Sequence, residues 1–510
     1  MATHLDNLAV SIVSGASEYP AAAPFHPPES YPEYPHGEGD TDPGNGVYPM
    51  VRESLRLLDM DSAGFGQSSW NPLRKLISAG DRVLIKPNFV LHYNAGGGPL
   101  DAVVTHPSVI RAIVDYVTIA LKGEGEIIIG DAPQMNCDMG ELYRATGMDR
   151  LVDFLKDRCE PQGIRVIAAD FRQEQTTYRY GIVWERRPLG NGASRPVPVR
   201  LGRESFMEGI DSSRLYGADY SRRETIEAHL NERHEYVISS AALSSDVVIS
   251  IPKLKVHRKV GVTLNLKNMV GINTDKNHLA HYRVGGPGKG GDEFSSPRWD
   301  DRAERALSDL LLGRSWRLGK YPFVAWRAIR KVLGSVTGRG REQALTYGNW
   351  HGNDTAWRMV LDLNRILMFA DANGRLRPAP VRRYLSLIDG VVGGEGEGPL
   401  HPSPYRSGVV LAGFNPVAVD WAAARLMGLD PARLQLYSNA LKQMCEWVPG
   451  FAIEQCTVRS NRKEWENILS CNDIIFRFRV PAGWRGRIER YEAAADVEGI
   501  TPSPSNLISQ

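Results

Sequence analysis

A chain of 510 residues with 42% hydrophobic and 24% charged side chains, 50 Gly and 32 Pro has room for about three domains or one elaborated α/β unit, and its balance excludes a disordered, collagen-like or coiled-coil chain. Lys plus Arg number 61 and Asp plus Glu 59, a formal net charge of +2, so no nucleic-acid partner is expected. The five cysteines (Cys137, Cys159, Cys445, Cys456 and Cys471) form no CxxC, which predicts reduced thiols in a cytoplasmic protein and neither an iron–sulfur cluster nor structural zinc.

The N-terminus lacks a basic stretch followed by an apolar run, and nowhere do about 18 apolar residues follow one another, so neither signal peptide nor membrane span is expected. After a short first strand, residues 20–48 are rich in Pro, Gly, Glu and His and predict an irregular arm. From Tyr48 onward short β-branched runs alternate with helical patterns: a strand at 82–87, a helix from Pro107 to Lys122, a strand at 126–133, a helix over 139–158 and a strand at 164–171. Residues 172–232 break this rhythm as a β-rich insertion, and DVVISIPK at 246–253 restores it. A second insertion over 283–350 begins glycine-rich and becomes basic and aromatic. A helix near 354–370, a strand at 384–391, the glycine-rich GGEGEGPL, a strand at 407–414 and helices from Pro416 and Pro431 follow.

Continuous apolar strands between helices predict an α/β fold with a mostly parallel or mixed sheet flanked by helices, interrupted by a β-rich and a basic helical insertion. The corresponding divisions are 1–50, an N-terminal strand and arm; 51–282, a core containing the β-rich insertion; 283–350, the second insertion; 351–445, the rest of the core; and 446–510, a C-terminal extension.

In such sheets ligands lie outside the carboxyl ends of the strands. Four apolar runs end in polar residues: Lys86 and Asn88, Asp131, the group Lys253, Lys255 and His257, and Asp389. One such charge is ordinary loop chemistry; four, of both signs, predict a shared cleft that brings Lys86, Asp131, Lys253 and Asp389 together. The stretch 251–283 adds Arg258, Lys259, Lys267 and Lys276, opposed only by Asp275, with Asn268 among them. Ammonium groups and an orienting amide suit a phosphate or carboxylate. Lys267 and Asn268 sit in VTLNLKNMVG, where apolar neighbours imply burial, and a buried lysine must be paired or lose its charge.

His278 and His281 are three apart, one face of a helix if helical, and are candidate ligands for a divalent metal, expected near the same cleft. Glu395 and Glu397 alternate with glycine after Asp389; without GK[ST] this is no phosphate cradle, and Glu395 is a candidate to face a cation or the lysines.

The pieces IKPNFV, THPSVIRAIVDYV, GDAP, SDVVISIPKLKVH, VTLNLKNMVG, DLN at 362–364, LIDGVVGGEGEGP and NPVAVDWAAARLMG resemble the bacterial and archaeal family catalogued as domain of unknown function 362. The resemblance covers about 86–428 outside the insertions, and KLKxH with LKNMVG is its most specific part. It implies functional positions at Lys86, Asn88, Asp131, Lys253, Lys255, His257, Lys267, Asn268, Asp389 and Asp420, the last a helix-borne residue in a supporting role. Some members carry an appended ferredoxin-like module with CxxC runs, which this chain lacks.

Between Arg314 and Arg341 eight cations and no acidic residue accompany Trp316, Tyr321, Phe323 and Trp326. The composition fits an amphipathic interfacial helix, about 4 kcal/mol of attraction to an anionic leaflet if half the cations engage, or a helix packed on its own domain. Two functions are open. One is an enzyme acting on a phosphorylated or carboxylated small molecule, such as a sugar phosphate or lipid-linked intermediate. Lys86, Asn88, Lys253, Lys255, Asn268 and Glu395 would bind it, and Asp131, His257, Lys267 and Asp389 would supply acid–base chemistry. The other is a non-catalytic anion-binding scaffold recruited to a membrane.

Overall fold

The computed structural model describes residues 4–37, 41–179, 182–190, 192, 194–217, 221–295 and 347–491. The segment 314–341, and with it the expected basic helix, lies outside the described residues.

Among the described residues one 11-stranded mixed sheet organises the fold. Its strands are β1 (Ala9–Ser14), β2 (Arg82–Pro87), β3 (Gly125–Asp131), β4 (Ile164–Asp170), β5 (Val247–Ile251), β6 (Lys253–His257), β7 (Gly261–Thr263), β8 (Arg383–Glu397), β9 (His401–Tyr405), β10 (Val409–Gly413) and β11 (Thr457–Ser460). The spatial order is β11-β1-β10-β8-β5-β2-β3-β4, with β6 and β9 pairing with β8 and β7 pairing with β6. From β8 to β4 every neighbour is parallel, whereas β10 runs antiparallel to both β8 and β1. The α/β expectation therefore holds.

The strands read as unbroken apolar runs because both faces are covered. Val83, Ile85, Ile127, Ile129, Val247 and Ile249 pack into a core shared with helices Val47–Leu57 and Pro107–Leu121. The alternate residues Leu84, Ile128 and Val248 pack into the opposite core, with helices Ala356–Phe369, Pro416–Leu426 and Gln435–Trp447. The period of two sends successive side chains to opposite faces.

The arm at 20–48 is irregular up to the helix starting at Val47, yet it is anchored. His36 Nε2 lies 2.9 Å from Asp115 Oδ1, Arg111 donates to Tyr34 Oη at 2.6 Å, and Arg52 donates to Glu33 at 2.7 Å. The 172–232 insertion forms a hairpin of Glu174–Arg179 with Ile182–Pro188, and strand Pro196–Arg200 pairs with Glu235–Ser239 outside the main sheet. The helix expected over 139–158 is two helices, Met139–Thr146 and Met148–Cys159, because Gly147 adopts φ 75° between them. Pro431 starts only a three-residue turn, and the helix proper is Gln435–Trp447.

Two expectations at the sheet's carboxyl edge are corrected. Lys253, Lys255 and His257 do not lie in a loop after β5. They form β6, collinear with β5 along the same edge of β8, in register Lys253↔Asp389 and Lys255↔Gly394. GGEGEGPL is likewise not a loop at its start, since β8 continues to Glu397 and turns back into β9. Glycine is required there by close approach: a Cβ on Gly394 would sit 2.6 Å from the Ala102 carbonyl oxygen and 2.9 Å from Lys255 Cβ.

Candidate functional site

The polar strand ends form two buried ion pairs. Lys86 Nζ, from β2, is 2.7 Å from Asp131 Oδ1, from β3, and donates to the Pro87 carbonyl at 2.7 Å and to Asn268 Oδ1 at 3.3 Å. Asp131 Oδ2 accepts the Phe89 N–H at 2.6 Å. Burial pushes the Asp131 carboxyl up and the Lys86 amine down, each opposed by its partner. Gly271 closes over this pair so tightly that a Cβ would fall 1.8 Å from Asp131 Oδ1.

The second pair joins Lys253 Nζ and Asp389 Oδ2 at 3.0 Å. Tyr19 donates its hydroxyl to Asp389 Oδ1 at 2.5 Å and accepts from Lys253 Nζ and from the Val392 N–H. The His106 N–H donates to Asp389 Oδ2 at 2.9 Å, and its ring stacks on Tyr19 at 4.0 Å. Burial lowers the Lys253 amine, against the attraction of Asp389. Thr105 joins the surroundings of the two pairs, accepting from the Asn88 N–H at 2.9 Å and donating to the Ile251 carbonyl at 2.6 Å.

Beside these neutralised pairs stands a group of lysines without carboxylate partners among the described residues. Alternation along β6 puts Lys253, Lys255 and His257 on one face, and the register Lys255↔Thr263 adds Thr263 from β7. Lys255 Nζ donates to the Val103 carbonyl, and burial, with Lys253 and Lys267 nearby, holds it well below the ordinary lysine value. Lys276 donates to the Ala132 carbonyl at 2.7 Å, and Lys259 donates to the Tyr347 carbonyl with its Nζ 5.2 Å from the Tyr282 ring centre. Burial brings both down to about 8.

Lys267 comes from the short helix Asn265–Asn268. Asp420 pins that turn, accepting from Asn265 N at 2.8 Å, Asn265 Nδ2 at 2.8 Å, Leu266 N at 3.0 Å and Tyr437 Oη at 3.2 Å. Asn268 ties it to the sheet through the Lys86 carbonyl at 2.9 Å and Ser250 Oγ at 3.1 Å. Lys267 is 8% exposed and has no hydrogen-bond or ion-pair partner among the described residues; burial first, then Lys276 and Lys259, lower it to about 7. His257 and His281 are held well below the ordinary imidazole value by burial and then by Lys267, so both are neutral beside the lysines.

The expected residues therefore converge, with differences. Lys86, Asp131, Lys253, Lys255 and Asp389 lie buried in packed pairs and strands rather than on the walls of an open cleft. Asn88 is near, its amide oxygen buried and without a partner among the described residues. His278 and His281 do not share a helix face: one ends a three-residue turn and the other lies in strand Ala280–Arg283. His278 Nδ1 is 3.1 Å from the Glu235 carbonyl, whereas His281 belongs to the lysine group. No cluster of three or more His, Cys, Asp or Glu suited to a metal occurs among the described residues. Glu395 faces Arg479, at 2.7 Å, and Glu397 faces Arg258, at 2.9 Å, so neither reaches the lysines: a nearer guanidinium satisfies each. Sequence reasoning missed Tyr19 and His106. The His-Pro step before a helix was a visible capping signal, but nothing local marks Tyr19, which enters from the segment just before the arm.

Fold and site together define an α/β protein whose parallel strand ends bury two Lys–Asp pairs beside a lysine group that has no carboxylate partner among the described residues. The chain belongs to the family described as domain of unknown function (DUF362), whose model matches residues 83–176 and 187–425. It is also similar to a thylakoid-associated protein of Synechocystis sp., 21% identical over 384 residues that cover 75% of this chain and 71% of the relative. Both ion pairs and the lysine group lie inside the family match; Tyr19 precedes it. No helix among the described residues is long and apolar enough to cross a membrane.

Proposed function

We propose that the lysine group is the binding site of a small phosphorylated or carboxylated molecule, and that the protein is an enzyme acting on it by acid–base chemistry. The observation that carries this reading is Lys267, a nearly buried amine with no partner among the described residues, surrounded by Lys255, Lys259 and Lys276. A native fold seldom buries a cation unpaired, and an anion seated on Lys255, Lys259 and Lys276 would return those three amines to their ammonium forms. The half-neutral Lys267 is the group with a proton to exchange near neutral pH, and His257, held neutral, contributes hydrogen bonding rather than titration there. Lys86, Asn88, Lys253 and Asn268 support the walls. Asp131 and Asp389, expected as general bases, are better suited to holding Lys86 and Lys253 in place, because each already accepts from a lysine and a backbone amide.

The test is thermal unfolding with sulfate, phosphate and phosphosugars, with a Lys267→Ala variant alongside. Ligand at about 100 times its Kd raises stability by about 2.7 kcal/mol, and the variant should lose most of that gain. Equal stabilisation of both proteins would remove Lys267 from the site.

A second reading, recruitment of this anion-binding unit to an anionic membrane through 314–341, is favoured by the basic aromatic composition of that segment and by the relative's description as thylakoid-associated.

A further inference from the structure

We infer that Lys267 is an imine-forming lysine, adding through Nζ to the carbonyl carbon of a small aldehyde or ketone that also bears a phosphate or carboxylate. This rests on the anion-site reading and names the substrate class for it. Five other lysines near the strand ends have Nζ committed: Lys86 to Asp131, Lys253 to Asp389 and Tyr19, Lys255 to the Val103 carbonyl, Lys259 to the Tyr347 carbonyl and Lys276 to the Ala132 carbonyl. Among the described residues Lys267 alone of the six has no such partner, and it keeps 8% of its surface. An amine can act as a nucleophile only where its lone pair is not taken by a proton, and burial beside other cations is the arrangement that frees it.

The surroundings fit. Asp420 and Asn268 hold the Lys267 turn rigidly from both sides, so the amine projects from a fixed base. Two further buried polar atoms close in sequence, Thr263 Oγ1 and Asn265 Oδ1, have no partner among the described residues and are available to a ligand. Lys255, Lys259 and Lys276 would hold the anionic end of the molecule, leaving its carbonyl to Lys267. A lysine at about 7 is half neutral at pH 7, whereas an ordinary one near 10.4 is neutral only about once in 2,500.

The chemistry balances without a further reactant. The Nζ lone pair forms the C–N bond while the carbonyl pair moves to oxygen, and one nitrogen proton passes to that oxygen through Nε2 of neutral His281, whose Nδ1 donates to the Leu279 carbonyl, giving the carbinolamine. The carbinolamine hydroxyl then leaves as water with the second nitrogen proton, passed the same way, while the freed nitrogen pair closes the C=N bond: amine and carbonyl become imine and water.

The full chain is incubated with pyruvate or glyceraldehyde 3-phosphate and sodium cyanoborohydride, which reduces an imine to a stable secondary amine, and modified peptides are located by mass spectrometry. The expected result is an adduct on Lys267 at least about tenfold above that on the exposed Lys122 and Lys156, half-maximal near pH 7 and suppressed by sulfate. Acetone, which lacks an anion, should label Lys267 poorly. Adducts spread evenly over surface lysines, with sulfate still stabilising the protein, would overturn the imine and leave the anion site standing; absence of both would overturn both. Lys267→Arg should keep sulfate stabilisation and lose the adduct. Should that variant fail to fold, the peptide map of the unaltered protein decides by itself.

Discussion

Lys253 and Asp389 are 136 residues apart in sequence and 3.0 Å apart in space, in register on neighbouring parallel strands, and neither keeps any exposed surface. Tyr19 completes the contact from the irregular segment between β1 and the arm. Breaking one side of such a pair leaves a buried charge, so Lys253→Met or Asp389→Asn should each cost about 3–5 kcal/mol, while replacing both by apolar residues should cost much less than the sum. Urea unfolding of the cycle measures this. Additive losses would mean that the two residues do not act as a pair.

Gly271→Ala tests the packing over the other pair. Its Cβ would have to occupy space 1.8 Å from Asp131 Oδ1 and 2.6 Å from Lys86 Nζ, so the ion pair must part. A loss of at least about 3 kcal/mol is expected on chemical denaturation, with Lys86 reactive toward amine reagents that spare it in the unaltered protein. A neutral substitution would show that the contact is soft.

Anion binding should strengthen as pH falls. Lys267 is at about 7 and Lys259 and Lys276 at about 8, all depressed by burial. Lysines depressed in the folded state favour folding above their unfolded value, near 10.4, and that benefit is lost progressively as pH falls from there and is gone once pH has passed below the folded values of about 8 and 7. Sulfate, a dianion throughout this range, offsets the loss by favouring the ammonium forms. Calorimetry at pH 8 in buffers of different ionisation enthalpy should report proton uptake on sulfate binding, and proton release would contradict the site.

Asp420 has the opposite sign. Burial raises its carboxyl to about 7 even though it accepts backbone and side-chain N–H groups. A carboxyl raised in the folded state contributes stability at low pH that disappears as pH rises from about 4 through 7, at up to about 1.4 kcal/mol per unit. Asp420→Asn should therefore flatten part of the stability profile across that window and loosen the Lys267 turn. Asp362, raised to about 6 by burial, titrates in the same window and should retain the remaining slope. An unchanged profile would count against Asp420 as the titrating group.

The segment 314–341 should bind vesicles containing anionic lipid, less well at physiological salt than at low salt, and less again after Arg327, Arg330 and Lys331 are changed to Gln. Liposome sedimentation reads this directly. Equal binding to neutral vesicles, or none to anionic ones, would point to packing within the protein.

Local pattern alone determined the fold class and which polar residues end the apolar strands. Apolar runs of strand length between helical periods require a sheet covered on both faces, and RVLIKP, EIIIGD and YLSLID each announce the polar residue at their end. The alternation in KLKVH was equally local, but strand and loop cannot be told apart without the partner that pairs with it, and β8 lies some 130 residues downstream. Partner choice was invisible for the same reason. Tertiary packing decided that Asp131 and Asp389 neutralise Lys86 and Lys253, that Glu395 turns to Arg479, and that His278 and His281 part company. It also brought Tyr19 to Asp389 and left Lys267 unpaired among the described residues. Periodicity records which side of an element is buried; which charge meets which depends on contacts between segments far apart in the chain, and only the closed fold brings those together.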